Sequence, residues 1–252
     1  MQSETPHIHQ ESRRWRQASW LVLLAGCLLS ALAWWQAAQR VQRDADTAFD
    51  ATTREFTLHL SQMVDHHLDV LTSFQAMFAV NGQVSRQTFH DHYVRLKAEQ
   101  EYPALLAVQY APRIAQADKL AFEARTRADR SLQREGYPDF RVHPPGERPF
   151  YVPTLYNEPM ASNRGAFGYD ASAEPTRRQV MEAARDTGEL QVSPPIRLIQ
   201  SPNDPLGVVV RLPVYEGGHR PASTAERRIA FQGVVSGVIR ITDLVAPADS
   251  AT

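Results

Sequence analysis

Arginine set among apolar residues is the first chemistry this chain offers. Between Tyr169 and Tyr215 it reads YDASAEPTRRQVMEAARDTGELQVSPPIRLIQSPNDPLGVVVRLPVY, and Arg177, Arg178 and Arg211 fall beside positions patterned for burial. A guanidinium is a planar fork of N–H donors that matches a carboxylate or a phosphate with two parallel hydrogen bonds. Two such groups turned into one cavity would suit an anionic small molecule. The plainer reading makes Arg177 and Arg178 a solvated helix face and pairs Arg211 with an acid such as Glu182 or Glu189.

Other constellations carry less. Asp65-His66-His67, with His59 before it, and His90-Asp91-His92 hold metal-ligating types. Neighbours on a helix diverge by about 100°, so His66 and His67 cannot face one ion, and no metal or other cofactor is expected. Asp170 resembles a catalytic acid only out of context; its expected role is to hold the turn into the following helix. The sequence has no G-x-S-x-G elbow, no phosphate-binding glycine loop and no HExxH, so no catalytic residue is assigned and an enzyme is not expected. A net charge of -1 gives no basic field for nucleic acid. The single cysteine, Cys27, excludes an intramolecular disulfide.

The elements around the arginines are well marked. Ser172 or Thr176 can cap a helix with Pro175 in its first turn, Thr176-x-x-Gln179 has capping-box form, and Gly188 sits where a left-handed stop is wanted. Val180, Ala183, Ala184 and Thr187 would pack on strands at 190–192, 196–199 and 207–212, with a hairpin turn at 202–205. Upstream, residues 37–78 lack Gly and Pro and repeat apolar residues at helical spacing through Val64, Leu68, Leu71, Phe74 and Phe78, which predicts a long helix. Asn81-Gly82 ends it. A second helix opens at Ser85 with Phe89, Tyr93 and Leu96 on one side, 105–110 reads as a strand, and 118–132 as a helix using Leu120, Ala124, Ala128 and Leu132. Short strands are expected at 140–143 and 150–156.

Before the long helix, Arg13, Arg14 and Arg16 precede an uncharged run from Ala18 flanked by Trp15, Trp20, Trp34 and Trp35. This reads as a membrane span at 18–36 with a cytoplasmic N-terminus. Two rival readings are cleavage after Ala33 and lipid attachment at Cys27, both opposed by the apolar run continuing through Trp34 and Trp35.

Several blocks, in order, resemble the CHASE family. They are Val80-Asn-Gly-Gln-Val-Ser-Arg-Gln-Thr-Phe89, Val108-Gln-Tyr-Ala-Pro-Arg113, Tyr151-Val-Pro-Thr-Leu-Tyr-Asn-Glu-Pro159, Gly168-Tyr-Asp170, Arg177-Arg178, Ala184-Arg-Asp-Thr-Gly188, Ser193-Pro-Pro-Ile-Arg-Leu198, Leu212-Pro-Val-Tyr215 and Gly233-Val-Val-Ser-Gly-Val-Ile-Arg-Ile241. The resemblance implies an extracytoplasmic ligand sensor with a long N-terminal helix and two PAS-like lobes, feeding a histidine kinase, diguanylate cyclase or similar output. Plant members bind cytokinins in the membrane-distal lobe. There a carboxylate near the helix start grips the adenine ring, and Arg177 stands at that place here. Arg211 aligns with a ligand-contacting hydroxyl, and Ser193 keeps a hydroxyl at another pocket position. A cytokinin is therefore not the expected ligand; the expected ligand-binding residues are Arg177, Arg211, Ser193 and Tyr169.

The expected organisation is α+β: a cytoplasmic tail (1–17), a transmembrane helix (18–36), a stalk helix (37–78), a membrane-distal PAS-like ligand lobe (79–205), a membrane-proximal PAS-like lobe (206–245) and a tail (246–252). The expected function is a membrane-anchored sensor domain for a small anion, in a bacterial inner membrane with the sensor periplasmic or extracellular. It would pair as a homodimer through the stalk and act on an output absent from this chain, including a separate signalling protein. The alternative is a free-standing lipid-anchored or secreted binding protein.

Overall fold

The computed structural model describes residues 34–36, 39, 66–196 and 207–245, with no side-chain description for 244 and 245. Contacts divide the chain into two units, residues 1–59 and 60–252. In the first unit, residues 34–36 and 39 are helical. The rest of the expected membrane span, and the stalk up to residue 65 apart from residue 39, lies outside the described residues. Among the described residues no helix is long and apolar enough to cross a membrane.

In the second unit, helix α1 (66–81) continues the apolar repeat. Val70, Leu71, Phe74 and Phe78 are all buried, a stripe at helical spacing that lies on the sheet. Gly82, at φ 65°, ends it as the sequence indicates. Ser85 then caps α2 (Arg86–Arg95) by accepting from the Thr88 N–H at 3.0 Å, and Phe89 and Tyr93 are buried while Leu96 is half-buried beside them. A short α3 (Ala98–Glu101) leads to β1 (Leu105–Pro112) and β2 (Ile114–Ala115).

Helix α4 (Lys119–Ala128) is shorter than expected and turned about its axis. Leu120 is 75% exposed, whereas Phe122, Glu123 and Thr126 face inward. The carboxylate of Glu123 explains the turn: it accepts from the Val142 N–H at 2.9 Å and from Lys119 at 2.7 Å, which satisfies a buried charge that periodicity alone would place outside. Residues 140–143 form no strand beyond an isolated bridge from His143 to Tyr169. The expected strand at 150–156 is instead two pieces, β3 (Phe150–Tyr151) and β4 (Tyr156–Glu158).

After α5 (Met160–Asn163), α6 (Pro175–Thr187) leads to β5 (Gln191–Val192) and β6 (Gly207–Tyr215). The expected strand at 196–199 is described only at Ile196, an isolated bridge to Gly207, and the expected 202–205 turn lies outside the described residues. A capping box of Ser223 and Glu226 opens α7 (Thr224–Ala230), which β7 (Phe231–Arg240) and α8 (Ile241–Val245) follow.

The result is a mixed α/β structure around one antiparallel five-stranded sheet, ordered β4-β1-β7-β6-β5, beside a two-stranded β2-β3 sheet. The 206–245 stretch supplies β6 and β7, which pair with β5 and β1 respectively, so the boundary expected between lobes at 205 and 206 falls inside a single sheet. One sheet face packs Val108, Tyr110, Val210, Leu212 and Val235 against α1 and α2. There the backbone approach is close: a Cβ on Gly237 of β7 would lie 2.6 Å from Leu71 Cδ1.

Candidate functional site

The opposite face of that sheet is apolar at both ends and polar across its middle. Residues directly opposite in an antiparallel ladder point to the same side. The register joins Asn157 to Gln109, Gln109 to Ser236, Ser236 to Arg211 and Arg211 to Gln191, so each of the five strands places one polar side chain in a single row. Ala107, Val238 and Val209 flank the row on one side, and Ala111 and Val234, with Met181 of α6 above them, flank it on the other. All members but Gln191 are buried.

The two halves of the row differ in how well they are satisfied. At the β4 end, Gln109 Nε2 donates to Asn157 Oδ1 at 2.9 Å, and Asn157 Nδ2 donates to the Asn163 carbonyl at 2.6 Å. At the β6 end, Arg211 is 5% exposed and its Nη1 donates to Ser236 Oγ at 3.0 Å, while its buried Nε has no partner among the described residues. Burial first, and the neighbouring Arg177 charge second, push the Arg211 guanidinium down to about 10; Tyr169 opposes this weakly. Neither acid that the sequence offers as its partner fills that place: Glu189 pairs with Arg220 at 3.4 Å, and Arg211 forms no ion pair with Glu182 or any other described carboxylate. A buried charge left in this condition is costly unless something else supplies a counter-charge.

Arg177 reaches the same region from α6. Its guanidinium lies 5.3 Å from the Tyr169 ring centroid and 4.0 Å from Glu174 Oε2. Helix α6 is capped by Glu174 rather than by Ser172 or Thr176, the carboxylate accepting from the Thr176 N–H at 2.9 Å and the Arg177 N–H at 2.8 Å. Pro175 as the first helical residue fixes the cap one position before it. The hydroxyl of Ser172 is engaged elsewhere, donating to Asp170 Oδ1 at 2.7 Å. Gly188 closes the helix at φ 73° as the sequence requires.

Of the four expected ligand residues, the structure brings Arg211, Arg177 and Tyr169 into mutual electrostatic reach. Ser193 is buried next to Val209, but its hydroxyl accepts from the Val209 N–H at 2.9 Å and donates to the Pro194 carbonyl at 2.8 Å, so it serves the β5–β6 edge. Arg178 is likewise structural, donating to the Ser172 carbonyl at 2.7 Å. Asp170 holds the turn: its Oδ1 also accepts from the Val152 N–H at 2.8 Å and the Ser172 N–H at 2.9 Å. Among the described residues no group of His, Cys, Asp and Glu is arranged for a metal, and His66 stacks on Tyr102 at 4.6 Å.

Gln109, Asn157 and Ser236 are absent from the sequence assignment. Their signal was a polar residue interrupting an apolar strand, as in LAVQYA and GVVSGVI. What the sequence does not show is the register that lines them up.

Residues 82–251 match the CHASE domain family. The chain belongs to the CHASE domain family. CHASE domains are extracytoplasmic sensory domains of signalling receptors, so the polar row lies in a module whose task is recognition. The α/β sheet carrying Arg211 and the helix carrying Arg177 both fall inside the matched residues.

Proposed function

We propose that this CHASE domain senses a small anion, a carboxylate or phosphate, held against the polar sheet face by Arg211 and Arg177. The observation that carries the reading is Arg211, a buried guanidinium with one hydroxyl partner, an unpartnered Nε and a second arginine nearby instead of a carboxylate. An anion there supplies the counter-charge that the fold omits. Tyr169 and the Gln109 amide extend the recognition surface beyond the charged group. In this reading the segment at 18–36 anchors the chain, the helix beginning at 37 pairs with a second copy, and the signal passes to an output module through a shift between two arrangements of that pair.

Thermal unfolding of the full chain with and without inorganic phosphate, acetate and succinate tests this. A ligand that binds only the folded state raises the midpoint by mass action. At least one anion is expected to do so for the native protein and not for Arg211→Met, with Arg177→Gln weakening the effect. Equal stabilisation of all three proteins refutes the assignment.

A further inference from the structure

A half-open cavity lies away from the sheet row. It has a volume of about 360 Å³ and is bounded by the loop following α4 and by the segment around α5. That volume falls within the ordinary range for small-molecule sites. Its apolar walls are Tyr137, Phe140, Met160 and Phe167, and Arg141 and Arg164 stand among its polar residues. Tyr137 meets Phe167 at 5.2 Å and Phe140 meets Phe167 at 4.7 Å between ring centroids, so the walls are edge-on and tilted aromatic faces.

The walls are fixed from behind. The Arg86 guanidinium lies 4.4 Å from the Tyr137 centroid and 5.3 Å from that of Phe167, and its Nε binds Asp129 at 2.8 Å. The loop is tied to α4 by the Tyr137 N–H donating to the Arg127 carbonyl at 3.0 Å and by Arg127 Nη1 donating to the Phe140 carbonyl at 3.1 Å. A Cβ on Gly168 would lie 2.2 Å from the Arg141 carbonyl, which shows how closely the two sides are joined. Such a cavity meets a ligand preformed, with little ordering cost.

Arg141 and Arg164 are exposed and form no ion pair among the described residues. One carboxylate, Asp139, shares the lining with these two guanidiniums. We propose that this cavity is a second ligand site and takes a small aromatic carboxylic acid, its ring against Tyr137, Phe140 and Phe167 and its carboxylate on Arg141 and Arg164. The site shares no residue with the Arg211 row, so it does not depend on the reading of that face.

Fluorine NMR of para-fluorobenzoate, titrated with the full chain against a detergent blank, tests the proposal. Saturable line broadening is expected, weakened at least tenfold in Arg141→Gln/Arg164→Gln and at least tenfold weaker for the neutral para-fluorobenzyl alcohol. Cyclohexanecarboxylate, which lacks the ring's flat face, should compete poorly. Absence of saturable broadening at millimolar ligand, unchanged binding in the double variant, or loss of binding in Arg211→Met each overturns it. The last result would instead place the aromatic acid on the sheet face.

Discussion

Replacing Arg211 by methionine should make the ligand-free protein more stable, the reverse of what a buried hydrogen-bonded residue normally gives. Each tenfold change in proton affinity corresponds to about 1.4 kcal/mol, so the fall of the guanidinium to about 10 represents roughly 3 kcal/mol held against the folded state. Methionine has similar reach, no charge and a flexible apolar chain suited to the apolar flank of Val209 and Val238 on the same sheet face. The variant leaves Ser236 Oγ without its partner at 3.0 Å, a cost of about 1 kcal/mol. The balance is a gain of about 2 kcal/mol, or some 4–8 °C in unfolding midpoint for a domain of this size. Because the folded-state value lies below the unfolded one, the cost of the arginine is present throughout the neutral range. It is relieved only as pH rises through about 10, so the two proteins should converge in strongly alkaline buffer. Urea denaturation of exhaustively dialysed full-length protein, followed by circular dichroism, measures the difference. A variant less stable than the native protein by 1 kcal/mol or more would mean that Arg211 is a satisfied structural ion, and the argument for an anion would fall with it.

Asp170→Ala removes an acceptor of three buried hydrogen bonds and should cost about 3 kcal/mol in urea, whereas Asp170→Asn, which keeps the oxygen facing Val152 and Ser172, should cost clearly less. Ser223→Ala breaks the capping box of α7 and should lower stability by about 1 kcal/mol, read as a shifted denaturation midpoint with an unchanged slope. Hydrogen bonds from Arg228 and then Arg185 hold the Asp186 carboxyl well below its usual range. Its contribution is therefore full above the ordinary aspartate value and lost as pH falls below about 4, and Asp186→Asn should flatten the acid limb of a stability–pH curve.

The sequence made the linear elements readable wherever one physical cause dominated. The α1 stripe, the Ser85 cap, the Gly82 and Gly188 stops and the strand at Leu105 all follow from local spacing or backbone conformation. It misled where a tertiary partner outweighed the local pattern. Glu123 turns inward for the Val142 amide and takes α4 round with it. Arg177 and Arg211 were visible as residue types beside apolar positions. Their proximity, and the partners that complete the row, depend on which strands lie side by side, and no run of residues in β1 or β7 announces that they are neighbours.

Strand β7 belongs to both surfaces at once. Ser236 faces the ionic row, and the next residue, Gly237, faces α1, with Leu71 resting where a Cβ would stand. At that point the Leu71 side chain alone separates the α1 backbone from the β7 backbone, because Gly237 contributes none. The main chain of β7 is a rigid spacer between the two surfaces. A displacement of its backbone on the polar side would therefore press first on Leu71, the α1 residue in direct contact with it.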